Sequence, residues 1–202
     1  MCARKEGVTQ QEILDRWHAK RDASCNIGTA YHLVMENHIN GNYCCIPVDP
    51  TPEEFRNMTR DFDGIIKNIM NVGDELRSEY RLYHEESLIA GTADLIIDHG
   101  DNEFSVGDFK TNERIEYSSK YGKFLLDDFS HLTDCNYTIY TLQMSLYAYM
   151  YSLLSGRRCR QLFLMWIDRM NGNRMHFIPA PYLYHDICRL IDKRKREIMM
   201  KK

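Results

Sequence analysis

Apolar positions recur at helical spacing from Thr9 to about Ile39, with Ile13, Leu14 and Trp17 ahead of a break near Asn26-Ile27-Gly28 and Tyr31, Leu33, Val34 and Met35 beyond it. His32 falls on the second of these helical stretches. Residues 41 to 52 carry a glycine and three prolines, and read as a loop up to Thr51-Pro52-Glu53-Glu54, where a cap, a first-turn proline and acidic residues start another helix that should run to about Val72. From Ser78 the period changes. Short β-type runs at Tyr80 to Tyr83, Leu88 to Ile97 and Glu103 to Phe109 flank the turn His99-Gly100-Asp101-Asn102, as in a hairpin or meander. A helix follows from about Tyr137 to Leu154, then strands at Gln161 to Ile167 and Met175 to Ala180 about an Asn171-Gly172-Asn173 turn, and a last helix from about Tyr182.

This order predicts an α/β fold, a central mixed sheet flanked by helices, because short turns suit antiparallel pairs whereas a helix joins the two strand groups. With 202 residues, 44% hydrophobic and 27% charged, the chain matches one globular domain, a helical part over 9–72 and a core over 78–180. The net charge of -3 gives no global pull toward nucleic acid, so a polyanion would need a local basic patch. The seven cysteines, Cys2, Cys25, Cys44, Cys45, Cys135, Cys159 and Cys188, include no CxxC pair, which argues against a disulfide framework or zinc ribbon and for a reducing compartment. MCARKEGVTQQEILD lacks the apolar centre of a signal peptide, and no apolar run approaches the ~20 residues that span a bilayer. A cytoplasmic protein without a membrane partner is expected.

Two β-runs hold charges among apolar neighbours: Gly91-Thr92-Ala93-Asp94-Leu95-Ile96-Ile97 and Val106-Gly107-Asp108-Phe109-Lys110-Thr111. Asp108 and Lys110 are two apart, so strand alternation puts them on one face and Phe109 on the other. Pairing the runs through the turn at 99–102 brings Asp94 near Asp108. Two carboxylates held together repel unless a cation compensates, and a hard divalent ion such as Mg²⁺ or Mn²⁺ prefers oxygen ligands. An Asp-x-Lys pair alone is an ordinary surface ion pair.

Four segments in order change that weighting: Gly28-Thr29-Ala30-Tyr31-His32-Leu33-Val34-Met35-Glu36 as GxxxHxxxE, Gly91-Thr92-Ala93-Asp94 as GxxD, Asp108-Phe109-Lys110 as DxK, and Gln143-Met144-Ser145-Leu146-Tyr147 as QxxxY. The chain thereby resembles the PD-(D/E)XK nuclease superfamily, and within it the RecB-like exonuclease group that includes phage and mitochondrial exonucleases and the CRISPR adaptation nucleases. The resemblance implies a restriction-endonuclease-like core and a metal-dependent DNA nuclease. His32, Asp94, Asp108 and the main-chain carbonyl of Phe109 would bind Mg²⁺ or Mn²⁺. Lys110 would orient or help deprotonate the attacking water and stabilise developing charge, and Gln143 and Tyr147 would position DNA or brace the site.

Glu36, one turn from His32, either hydrogen-bonds its ring or is an ordinary exposed glutamate. Glu79, just ahead of the first strand, sits where related sequences often carry a glutamate before GxxD, and Thr111 follows the DxK lysine. Alone, His32 would be a polar residue on a partly apolar helix, and Gln143 and Tyr147 part of an aromatic-rich core face. Arg157, Arg158, Arg160 and the Lys193 to Arg196 run read as a solvated face. Lys110, Arg114, Lys120 and Lys123 are better placed to track a phosphate backbone.

Only Cys159 and Cys188 lie in the final third, so no iron-sulfur cluster is expected. Without a GxxxxGK[ST] motif, any helicase or recombination partner would be a separate chain. The expected substrate is DNA, as single strands or duplex ends, in a bacterial or phage-infected cell. A structure-specific endonuclease and a non-cleaving nuclease-fold subunit are the alternatives.

Overall fold

The computed structural model describes residues 9–42 and 50–200, so most of the expected 41–52 loop lies outside the described residues. The chain divides into two units, Met1–Thr51 and Pro52–Lys202. In the first, helix α1 (Gln10–Ile39) opens with a reciprocal capping box: the Glu12 amide donates to Thr9 Oγ1 at 3.2 Å, and the Thr9 amide donates to Glu12 Oε2 at 2.6 Å. The expected break at Asn26-Ile27-Gly28 does not occur. Asparagine and glycine each lower helix propensity by only about 1 kcal/mol or less, which a long established hydrogen-bond ladder outweighs.

The second unit starts with α2 (Pro52–Ile69), where the proline occupies the first turn and Met58, Thr59 and Phe62 are its buried residues. It stops short of the expected Val72. Asp74 competes for the chain there, accepting the Asn71 amide at 3.0 Å while its own amide donates to the Asn71 carbonyl at 3.2 Å.

Among the described residues, five strands form one sheet in the order β1 (Glu75–His84), β2 (Ile89–Asp98), β3 (Glu103–Lys110), β4 (Arg158–Asp168) and β5 (Arg174–Ala180). Only the β3–β4 pair is parallel, and it is the pair joined through a helix, α3 (Asn136–Ser155). Gly156, at φ +70°, ends α3 in a left-handed cap that a β-carbon would disfavour. Helix α4 (Tyr184–Met199) closes the chain. The fold is thus the expected α/β arrangement with a mixed sheet. No helix among the described residues is long and apolar enough to cross a membrane.

One core cluster joins Ala93, Ile96, Phe104 and Val106 of the sheet to Met144, Ala148 and Tyr151 of α3. Phe109 points the other way, its ring centroid 5.9 Å from that of Phe62 on α2. The first strand is longer than expected, Glu75–His84 rather than Tyr80–Tyr83. As an edge strand it is mostly half-buried, so the apolar alternation that marks a strand is weak over its first half. Glu79 accordingly lies inside β1 and not ahead of it.

Buried polar groups secure the end of the sheet away from Lys110. The Tyr151 hydroxyl donates to both Asp98 oxygens at 2.6 and 2.7 Å, and Arg77 approaches the same carboxylate at 3.2 Å. Arg157 donates to the His99 carbonyl at 2.7 Å, while Arg160 donates to Glu103 at 2.6 Å and Arg158 also pairs with Glu103. The arginines at 157, 158 and 160 therefore join β4 to the β2–β3 turn rather than forming a free basic face.

Candidate active site

The β2–β3 register carries the expected carboxylates toward each other. The paired ladder runs to Leu95 and Gly107, and Asp94 and Asp108 adjoin that end of it on the two strands. Asp94 Oδ2 accepts the Phe109 amide at 2.7 Å, which orients its carboxylate toward the end of β3. Asp108 is 1% exposed and forms an ion pair with Lys110, its neighbour on the same face. Burial opposes the charge on Lys110, but Asp108 and then Asp94 more than offset it and hold the ammonium group above its ordinary pKa. The Lys110 ammonium also lies 4.7 Å from the centroid of the Tyr140 ring, within cation–π range.

Behind the lysine, α3 presents Tyr140, Gln143 and Tyr147 on one face, spaced by three and four residues. Lys110 Nζ reaches Gln143 Oε1 at 3.5 Å, a long contact, and Gln143 Nε2 donates to the Tyr147 hydroxyl at 3.1 Å. The glycine of GxxD has a steric reason. A β-carbon on Gly91 would stand 2.7 Å from Tyr147 Cε1 and 3.1 Å from its hydroxyl, so the bare backbone admits the tyrosine. Tyr140, three residues ahead of Gln143 on the same helix face, touches the site lysine as well, and that helical spacing is its signal in the sequence. Its hydroxyl donates to Asn112 Oδ1 at 2.6 Å, just past Thr111, which is half-buried at the end of β3.

Glu79 sits between Ser78 and Tyr80, whose partners are Leu95 and Ala93, and so faces Asp94 across β1 and β2. It has φ +49°, a left-handed conformation unusual for a glutamate inside a strand. Across from it, Ala93 and Ile96 belong to one core cluster although three residues apart, and a regular strand would send them to opposite faces. The sheet is kinked where the two acids meet. Carboxylate oxygens of Glu79 and Asp94 lie within 4.8 Å of each other. Such backbone strain is commonly retained where it aims a functional side chain.

In the first unit, His32 and Glu36 lie one turn apart on α1, both half-buried. Within the second, Glu79 and Asp94 bring hard carboxylate oxygens together from adjacent strands, and Asp108 pairs with Lys110 on β3. The chemistry of that set suits Mg²⁺ or Mn²⁺ rather than a thiolate-seeking metal. The described cysteines are free thiols, and burial, with Glu103 nearby, pushes the Cys159 thiol up to about 12.

A second constellation has the order of a nucleophile relay. His99 Nδ1 lies 2.5 Å from Asp74 Oδ2, and His99 Nε2 lies 2.8 Å from Ser105 Oγ. Ser105, however, is 0% exposed and His99 1%, so no substrate carbonyl can approach the hydroxyl. The trio ties the turn before β1 to the β2–β3 turn.

Together these features define an α/β protein with a carboxylate–lysine cluster where its inner strands meet the central helix. No family model and no curated protein matches the sequence. Among solved structures, the chain is similar to a candidate exonuclease from Eubacterium rectale, with 11% identity and a TM-score of 0.49 over 87% of this chain. It spans 66% of the length of that protein. A second similar structure is that of the protein SSO0001, at 15% identity and a TM-score of 0.33, covering 85% of this chain and 72% of the other.

Proposed function

We propose that this chain is a divalent-metal-dependent nuclease of the RecB-like group that hydrolyses phosphodiester bonds in DNA, acting at ends or on single strands. One observation supports the reading: Lys110 pairs with Asp108 and feels the charge of Asp94, which accepts the Phe109 amide and has a Glu79 carboxylate oxygen within 4.8 Å. A phosphodiester resists attack because its anionic oxygens repel hydroxide. A bound Mg²⁺ or Mn²⁺ supplies charge neutralisation and a more acidic water. Asp94, Asp108 and the Phe109 carbonyl would hold the ion, with Glu79 as a further oxygen donor. His32 enters this set on its GxxxHxxxE context alone.

The protein's own side chains have separate tasks. Lys110 presents a cation where negative charge develops on the phosphate, and orients the attacking water. Asp94 is held by the Phe109 amide, which fixes the direction of its carboxylate. Gln143 and Tyr147 brace Lys110 from behind, a role supported by the bond between them and by the fit of Tyr147 against Gly91.

The test is digestion of 5′- and 3′-labelled DNA, single-stranded and duplex, linear and circular, with Mg²⁺, Mn²⁺ or EDTA. Loss of linear substrate that EDTA abolishes is expected. Cleavage of circles would overturn the dependence on ends, and absence of metal-stimulated cleavage on every substrate would overturn the nuclease reading.

A further inference from the structure

Between β3 and α3 the chain makes a long excursion, and its exposed side chains are unlike those of an ordinary loop. Tyr117 is 59% exposed, Tyr121 74%, Phe124 57% and Leu126 82%. Lys120 and Lys123 flank the Tyr121 ring, their ammonium groups 5.8 and 5.9 Å from its centroid. Clustered exposed aromatics are costly in water and mark a surface that meets a partner.

The segment is held in shape at several points. Its root is fixed by Trp166 Nε1 donating to the Asn112 carbonyl at 2.8 Å and by Asn136, which donates to the Arg114 carbonyl at 3.0 Å and accepts the Glu116 amide at 2.7 Å. Tyr117 packs on Tyr137 with ring centroids 4.7 Å apart. Further out the chain folds back on itself as a narrow hairpin. The Leu125 amide donates to the Leu132 carbonyl and the Asp134 amide to the Lys123 carbonyl, both at 2.9 Å. Tyr121, Phe124 and Leu126 are thus presented by a braced arm whose backbone begins two residues past Lys110.

Charge decides what the arm meets. The segment as a whole is not basic, since it also carries Glu113, Glu116, Asp127, Asp128 and Asp134. Arg114 answers Glu116 at 3.1 Å, however, and Lys193 answers Asp127 at 3.1 Å and Asp128 at 4.0 Å. The lysines sit ahead of that hairpin's turn, beside the exposed Tyr121 ring. Cations alternating with open aromatic faces complement a strand that alternates phosphates with bases, whereas a duplex keeps its base faces stacked inside.

We propose that residues 112–134 form a single-strand-binding arm, with Tyr121 and Phe124 stacking on bases and Lys120 and Lys123 contacting phosphates, leading an unpaired nucleic-acid strand toward Lys110. This rests on the nuclease reading only for the destination of the strand; the binding itself is independent of it.

The experiment measures binding of a fluorescein-labelled oligothymidine, and of a blunt duplex, to the full chain in EDTA by fluorescence anisotropy. Tyr121→Ala and Phe124→Ala are each expected to weaken oligothymidine binding about tenfold, with a smaller effect on the duplex, and Tyr121→Trp is expected to restore it. Removing both lysines (Lys120→Gln with Lys123→Gln) should lower the slope of log affinity against log salt by about 1.4, or roughly 0.7 for each single-strand phosphate that a lysine no longer neutralises. Unchanged oligothymidine affinity in the alanine variants overturns the arm, as does equal loss on the duplex. So does a change of oligomeric state by sedimentation velocity in those variants without a loss of binding, since the patch would then be a protein contact. Metal-stimulated cleavage by the parent, measured separately, tells failure of the arm from failure of the nuclease reading.

Discussion

Replacing Gly91 with alanine probes the packing that braces the candidate site without touching a charged residue. The new β-carbon would stand 2.7 Å from Tyr147 Cε1, against the ~3.5–4.0 Å at which carbon atoms are at ease. Either the half-buried tyrosine or strand β2 must therefore give by about 1 Å. Overpacking on that scale costs about 1–3 kcal/mol. With a urea dependence of about 2 kcal/mol per molar, the unfolding midpoint should fall by roughly 0.5–1.5 M. Displacing Tyr147 also strains the 3.1 Å bond from Gln143, so the lysine loses its brace as well. The assay is urea unfolding followed by circular dichroism, repeated in a Tyr147→Leu background that removes the ring. Most of the Gly91→Ala cost should vanish there, because the atoms that the new β-carbon meets are gone. An unchanged midpoint for Gly91→Ala, or the same loss in both backgrounds, refutes the packing argument.

Other outcomes follow from the same structure. Tyr151→Phe removes both hydroxyl contacts to buried Asp98 and should cost about 1.5–3 kcal/mol in urea unfolding, because bonds to an ionised group are the strong ones; a loss under about 0.5 kcal/mol would contradict this. Burial alone would raise the pKa of Asp74, yet the Asn71 amide, the His99 ring and the Gly100 amide hold it below the ordinary carboxylate value. Its ionised form therefore stabilises the fold at pH above the unfolded value of about 4, and this contribution is lost as pH falls through the lower folded pKa. Asp74→Asn should be less stable than the parent at pH 7 and show a shallower acid loss of stability, read from urea midpoints between pH 7 and pH 3. Mn²⁺ at about 100 times its dissociation constant should stabilise the parent by about 2.7 kcal/mol in thermal unfolding, reversibly by EDTA, and should leave an Asp94→Asn, Asp108→Asn double variant unmoved.

Strand alternation alone was enough to read Asp108 and Lys110 as sharing a face, and the short turn at 99–102 was enough to pair their strand with that of Asp94. Helix α3 was legible because its apolar residues repeat over five turns. Four features were hidden for distinct reasons. The early half of β1 is an edge with little buried side-chain surface, and the kink at Glu79 interrupts its period, so local pattern reported only its second half. The continuity of α1 through Asn26-Ile27-Gly28 depends on cooperativity along the whole helix, which a residue-by-residue reading of breakers overlooks. The Asp74–His99–Ser105 and Asp98–Tyr151 bonds join residues far apart in sequence, and no local spacing announces them. The arm at 112–134 carries neither helical nor strand period, so its order became apparent only with its anchoring bonds.

If Asp108 and Lys110 belong to a metal-dependent phosphodiesterase site, as proposed, removing either side chain must suppress cleavage. Initial rates of linear DNA degradation in Mn²⁺ by the parent, Asp108→Ala and Lys110→Ala, each first checked for native circular dichroism, test it most directly. Metal-dependent cleavage by the parent is expected, with a loss of the order of 10²-fold or more in each variant. Folded variants that degrade DNA as fast as the parent would contradict it.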